Sequence, residues 1–383
     1  MNLLHDLKNI FHITVIFQCL FFFIFLLSQK NRNRQRNLIL AAFLLTIAVT
    51  ELGGVFSHFR ELKGYLLNHC PFVLYIDFPF PFLAAPVLYF YVLSVSRKAF
   101  RFRKIHLLHL APFLFVSFLT FLKYHSQGPE KIRQMVEAGS LLQPMESLLY
   151  NILVYGQFFC YVFASFIVLK HYRTAIKNVY SFIRQINLSW LNLVLSGLIA
   201  WKSLEFIEYI LWVVTQDTAV VFLYYTAQIF FLTFLTLLFF RGLKQPEVFA
   251  LTEENNFRRK YEKTLLPDEH REEYAKRLKR FMQRHKPYLE PSLSLSDLAK
   301  MTSIPPHHLS QVLNTSFNQN FFDFVNSYRI QESQRLLTEQ DNQGKTILEI
   351  LYETGFNSKS VFNTAFKKYT GMTPSQFRRL QNP

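Results

Sequence analysis

Apolar residues in the first 240 positions fall in unbroken runs; beyond that point they recur every three or four residues instead. Seven runs stand out, near residues 11–27, 37–57, 72–95, 105–122, 147–169, 190–214 and 219–240. Each is about 17–25 residues long, the length a helix needs to cross a hydrocarbon layer about 30 Å thick. The pattern predicts an all-α protein: a seven-helix transmembrane bundle over 1–240, a charged helical connector over 241–288, and a cytoplasmic helical domain over 289–383. The first run is too long for the apolar core of a cleaved leader, and its basic flank follows it, so it reads as a span.

The connections between runs alternate in charge. The first carries Lys30, Arg32, Arg34 and Arg36, the third Arg97, Lys98, Arg101, Arg103 and Lys104, and the fifth Lys170, Arg173, Lys177 and Arg184. The second has only Arg60 and Lys63, the fourth Lys123, Lys131 and Arg133, and the sixth, TQDT, has none. Basic loops stay in the cytoplasm, so the N-terminus is expected outside and, after seven crossings, the C-terminus inside. Residues 1–240 hold 20 Lys+Arg against 10 Asp+Glu, and residues 241–383 hold 22 against 16. The first excess sets topology, and the second suits an anionic partner.

Ionisable side chains inside apolar runs are costly in hydrocarbon and mark candidate sites. Glu51, Asp77, Lys202, Glu205 and Glu208 are such residues, the four acids falling in the outer half of the bilayer. Trp201, Glu205, Glu208 and Trp212 share a helical face, with Lys202 three residues before Glu205. Pro79, Pro81 and Pro86 are expected to bend the third span and free carbonyls to line a cavity. Two readings stand side by side. One is an outward-opening pocket for a small-molecule or membrane signal; the other is a set of ion pairs and protonated acids joining helices. His109 and Gln157 read as helix-to-helix hydrogen bonders, and His12 as an interfacial residue near a span end.

Cys19, Cys70 and Cys160 are far apart, and no metal-ligand spacing, Ser/His/Asp set, HExxH or P-loop is present. No cofactor, metal site or enzymatic chemistry is expected. A transporter or channel with a regulatory tail is the competing reading; the chain shows no inverted repeat, and seven spans do not divide into equal halves.

In the C-terminal part, Pro267 followed by DEHREEYAKRLKRFMQRHK predicts a helix with acids first and bases last. Tyr274, Leu278, Phe281 and His285 share one face, while Lys276, Arg277, Lys279, Arg280 and Arg284 suit DNA or an anionic leaflet. From Leu293 two helix-turn-helix units can be read. In the first, LSLSDLAKM is capped near Ser294 or Ser296 and TSIPP makes the turn. HHLSQVLNTSF follows, with Leu309, Val312 and Leu313 inward and His307, Ser310, Gln311 and Asn314 outward. FFDFVNSYRIQESQRLL is a core strut through Phe324, Tyr328 and Leu336.

In the second unit TILEILYET supports, Gly355 turns, and Ser358 is expected to cap SKSVFNTAFKKY. Val361, Phe362, Ala365 and Phe366 face inward, leaving Lys359, Ser360, Asn363 and Thr364 for a groove and Lys367 and Lys368 for phosphate. From Lys359 to Pro383 there are five basic residues and no acid, the balance that contact with a nucleic-acid backbone requires.

Residues 289–383 resemble the AraC/XylS family of bacterial transcription regulators. The segment GFNSKSVFNTAFKKYTGMTPSQFRR keeps the family's Gly355-Phe356, Phe366-Lys367-Lys368, Gly371, Thr373-Pro374 and Phe377-Arg378; LSLSDLAKM, HHLSQVLN and SYRIQESQRLL agree with its first half. The resemblance implies two recognition helices entering successive major-groove faces of double-stranded DNA. The whole layout is similar to membrane-anchored members, which implies an inner-membrane regulator whose spans sense a signal. Tethering to the bilayer also favours a homodimer on paired sites. Three positions depart from the family. Asn318 replaces a usual Gly and is expected to keep the turn, Leu351 replaces a small residue and is expected to shift packing, and Thr364 stands where Arg is frequent.

Overall fold

A computed structural model describes residues 2–29, 34–97, 100–137, 143–183, 186–244 and 267–381. Lys30, Arg32, Lys98, Arg184 and residues 245–266 of the predicted connector lie outside these residues. All described regular structure is helical, apart from one isolated antiparallel bridge between Tyr180 and Ser294. The chain divides into two compact units, Met1–Leu169 with Ser189–Ala250, and Lys170–Leu188 with Leu251–Pro383.

The first unit holds α1 (Asn2–Ser28), α2 (Arg34–His58), α3 (Arg60–His69), α4 (Pro81–Ser96), α5 (Ala111–Lys123), α6 (Pro129–Glu137), most of α7 (Pro144–Lys177), α8 (Ser189–Thr215) and α9 (Val221–Lys244). Five segments are long and apolar enough to cross a membrane: Leu7–Ser28, Arg34–His58, Lys104–Gln127, Pro144–Lys177 and Val221–Leu238. These match five of the seven expected spans; the third and sixth runs do not stand out as clearly, for two physical reasons. The third run is broken by its prolines into a 3-10 turn at Pro71–Val73, loose turns and the 16-residue α4. The sixth run forms the 27-residue α8, but Lys202, Glu205 and Glu208 interrupt its apolar character.

Helix α1 packs along α2, α2 along α4, α8 along α9, and α1 against α9. Pro86, inside α4, cannot donate to the Phe82 carbonyl one turn earlier. Gln157 Nε2 donates to it at 3.2 Å, and Tyr150 Oη donates to Phe78 O at 2.7 Å. The carbonyls near the prolines are thus occupied by side chains of α7, where the sequence suggested a cavity lining. His109 and Gln157 do join helices: His109 hydrogen-bonds Tyr161, and Gln157 reaches α4.

The second unit holds α10 (Asp268–His285), α11 (Leu295–Thr302), α12 (Pro306–Ser316), α13 (Phe321–Thr338), α14 (Ile347–Glu353), α15 (Lys359–Thr370) and α16 (Pro374–Gln381). It is built on two hydrophobic cores. The first gathers Leu278 and Met282 of α10 with Leu298, Leu309, Leu313, Phe321 and Phe324. The predicted apolar face of α10 is thus real, but it centres on Leu278 and Met282, and His285 is exposed. The second core gathers Ile330, Leu336 and Leu337 with Ile350, Leu351, Phe356, Phe362 and Phe366. Helix α13 contributes to both cores, one end to each, and so fixes one helix-turn-helix relative to the other.

Candidate functional site

Each helix-turn-helix begins with a reciprocal cap. Ser294 Oγ accepts from Asp297 N at 3.2 Å while Asp297 Oδ2 accepts from Ser294 N at 3.1 Å. Thr346 and Glu349 repeat the arrangement at α14, with Glu349 Oε2 2.6 Å from Thr346 N. Those bonds hold the Glu349 carboxyl below its usual range, the Thr346 backbone N–H contributing most. The spacings S-x-x-D and T-x-x-E carry this signal in the sequence. Ser303 ends α11 in the left-handed region at φ 52°.

The second turn requires Gly355: φ is 82°, and a Cβ there would lie 2.6 Å from the Tyr288 carbonyl oxygen. Asn318 adopts φ 49°, the left-handed turn expected of it. Leu351 is fully accommodated in the second core. Ser358 occupies the N-cap position of α15, but its buried hydroxyl makes no capping bond, contrary to expectation.

The turns set α12 and α15 with one face in the core and one outward. On α12, Leu309, Val312 and Leu313 are buried, His307, Ser310 and Gln311 are half-buried, and Asn314 is exposed. Asn314 Nδ2 folds back on Ser310 O at 2.9 Å. The neighbouring His308 packs 5.9 Å from the Tyr274 ring of α10. Burial, then the adjacent His307 and His270, lower its affinity for a proton.

On α15, Phe362, Ala365 and Phe366 are buried; Lys359, Ser360, Thr364, Lys367 and Lys368 are exposed, and Asn363 is half-buried. Thr364 Oγ1 donates to Ser360 O at 2.8 Å. Lys368 pairs with Asp323 at 2.7 Å, and Tyr369 Oη donates to Asp323 O at 2.9 Å, so this lysine ties α15 to α13. Lys359 and Lys367 are the exposed bases of the helix outside that pair.

In the first unit three of the polar residues picked from the sequence, Glu51, Lys202 and Glu205, enter close polar contacts together with His12, Tyr224 and Gln228. His12 Nδ1 lies 2.7 Å from Glu51 Oε2, and its Nε2 lies 3.0 Å from Tyr224 Oη. Lys202 Nζ is 2.7 Å from Glu205 Oε2, and Gln228 Nε2 donates to Glu205 Oε1 at 3.3 Å. The set joins α1, α2, α8 and α9 at the end where α1 and α9 begin and α2 and α8 finish. The helix pairs at Glu51 close up because α2 carries adjacent glycines. A Cβ on Gly54 would meet the His12 ring at 2.2 Å, and one on Gly53 would meet Asp77 at 1.9 Å.

His12 was legible only as a residue near a span end; its depth matches Glu51 once α1 and α2 are antiparallel neighbours. Trp201 stacks on Phe231 at 3.8 Å between ring centres and is buried, whereas Trp212 is 49% exposed, so the two do not line one surface. Among the described residues no cluster of His, Cys, Asp or Glu is arranged to hold a metal ion.

Comparison with known proteins bears on the C-terminal part. A helix-turn-helix domain family model matches residues 298–380. The chain is 34% identical over 92 residues to the Msm operon regulatory protein of Streptococcus mutans, which is 24% of this chain and 32% of that one. It is 31% identical over 91 residues to the HTH-type transcriptional regulator GlxA of Rhizobium meliloti, covering 24% and 27%. Among solved structures, the C-terminal domain of AraT, a response regulator from Geobacillus stearothermophilus, is 26% identical, covering 28% of this chain and 84% of that one at a TM-score of 0.25. The chain spans less than a third of the length of these two curated relatives. The C-terminal region is a helix-turn-helix domain of the kind carried by transcription regulators.

Proposed function

We propose that this chain is a membrane-anchored, sequence-specific regulator of transcription. The observation that carries the DNA-binding part is the pair of helix-turn-helix units locked by α13, the second ending in an acid-free basic stretch from Lys359 onward. Lys359, Lys367, Arg378 and Arg379 supply phosphate contacts. Ser360, Asn363 and Thr364 in one helix, and His307, Ser310, Gln311 and Asn314 in the other, are the side chains offered to base edges. The matched family model falls in this same region, and relatives named as transcription regulators share 92 and 91 residues with the chain.

The five apolar segments support anchoring in a bilayer, and the alternating loop charges support a cytoplasmic C-terminus in a bacterial inner membrane. In this reading the polar set around Glu51 and Glu205 is where a signal acts. Its members are paired across four helices, so a small ligand or a proton that disturbs one pair changes how those helices meet. A homodimer on paired sites follows from tethering.

The test is two measurements on the full chain in lipid nanodiscs. Binding to a duplex selected from a random pool is expected to weaken steeply with salt, by a log–log slope of about −0.9 per phosphate contacted. A reporter fused after Pro383 is expected to be active only in the cytoplasm. Salt-independent binding of every sequence, or a periplasmic reporter, overturns the reading.

A further inference from the structure

The second unit is discontinuous in sequence. Residues 170–188, the end of α7 and the link to α8, belong to it together with the helix-turn-helix region. The linking segment is pinned on both sides. Toward α7, Tyr172 Oη donates to Ile186 O at 2.8 Å and Arg173 Nε to Asn187 O at 3.1 Å. Toward α11, Leu295 N donates to Val179 O at 2.9 Å, and Ser181 Oγ donates to Leu293 O at 2.6 Å. Tyr180 and Ser294 form the antiparallel bridge between these bonds.

Arg329 of α13 completes the joint from beneath. Its side chain is 1% exposed; Nε donates to Tyr288 O at 2.6 Å, and Nη2 to Glu290 O at 2.7 Å and Ser181 Oγ at 3.4 Å. Burial pushes this guanidinium down to about 10, opposed by Glu290. Leu188, where the segment leaves toward α8, holds φ at 51°, a strained conformation for a branched side chain.

The location matters because the first helix of a helix-turn-helix crosses the DNA backbone, where helix N-terminal amides donate to phosphate. At α11 the first such amide, Leu295 N–H, is already taken by the Val179 carbonyl. At α14, the counterpart in the second unit, no described residue places a carbonyl on Ile347 N–H.

We infer that residues 179–181 are an intramolecular strap that docks on the Leu293–Leu295 edge and restrains DNA binding by the first helix-turn-helix. The inference rests on the DNA-binding reading above. The strap is covalently continuous with α7 and α8, so a change in how those helices meet is delivered to α11 without passing through residues 245–266. Engagement of DNA and docking of the strap compete for the same amide, and the unstrapped form is the one with higher affinity.

The test uses the full chain in nanodiscs and the selected duplex. Ser181→Pro removes both the N–H and the hydroxyl that meet Leu293 O, while Ser181→Thr keeps them. Ser181→Pro is expected to bind DNA about tenfold more tightly than the wild type, and Ser181→Thr about equally. Amide exchange on the wild type gives an independent readout that survives misfolding of the proline variant: Leu295 is expected to be protected without DNA and to remain bonded to phosphate, while Ser181 loses protection when DNA is added. Equal affinity of folded Ser181→Pro and wild type, or unchanged Ser181 exchange on adding DNA, overturns the strap alone. Failure of all three chains to bind any duplex overturns the DNA-binding reading and the strap with it.

Discussion

The two helix-turn-helix units are built alike but dressed differently. Both open on a reciprocal cap and bury three apolar residues of the second helix. The first is nearly neutral, with Lys300 and Asp297 as its charged residues between Leu293 and Asn320, and it is covered by α10 and by the strap. The second is basic, lacks acids from Lys359 onward, and closes on the short α16. The difference separates two tasks that share one architecture. In the proposed reading, charge on the second helix-turn-helix supplies grip on phosphate whatever the sequence, whereas the first is the one other parts of the chain hold. A regulated contact is best placed where it does not also carry the electrostatic affinity.

The comparison predicts a set of effects that shrink in order. Phe362→Ala, in the second core, is expected to cost about 3–5 kcal/mol, and Leu309→Ala, in the first, about 2–5 kcal/mol. Chemical denaturation of the full chain reads both. If α13 truly couples the cores, each substitution lowers one shared transition; two separated transitions would show that the units fold independently. Replacing Lys359 and Lys367 together by Ala is expected to reduce the salt slope of DNA binding by about two. His307→Ala with Gln311→Ala is expected to change which duplex is preferred while leaving that slope intact. An opposite assignment of slope and preference would reverse the division of labour.

Thr346→Ala and Ser294→Ala are each expected to cost about 0.5–2 kcal/mol, since both remove a cap of the same design; unequal losses would show that the strap already satisfies the α11 terminus. The smallest expected effect is on pH. His308 binds its proton more weakly when folded, so the unfolded chain takes up the proton first as pH falls. Its contribution is intact above a pH of about 6.5 and is lost as pH drops from there toward the folded value. His308→Asn is expected to flatten that slope in a denaturation series, with no histidine counterpart in the second helix-turn-helix.

Much of this was legible in the residues because it depends on local periodicity. The inward faces of α12 and α15 follow from Leu309, Val312 and Leu313 and from Phe362, Ala365 and Phe366 at helical spacing. Gly355 and Asn318 were readable as turns because few residues tolerate positive φ. The readings that failed turned on surroundings that local spacing does not give. Ser358 has the right residue type and position for a cap, yet its hydroxyl makes no capping bond. Lys368 looked free for phosphate until Asp323, 45 positions away, was placed beside it. The third apolar run passed a hydropathy reading although its prolines shorten the helix to 16 residues.

By itself the sequence determined where apolar runs give way to amphipathic helices, which helical faces turn inward, and where basic charge collects, because each depends on residues within a turn or two of one another. The tertiary structure alone decided that His12 meets Glu51, that α10 shares a core with α12, and that residues 179–181 lie on the edge of α11. The first and last of those pairings bring together groups 39 and 112 positions apart. No local pattern encodes them, since closing such loops is driven by the burial and hydrogen bonding of the whole packed unit.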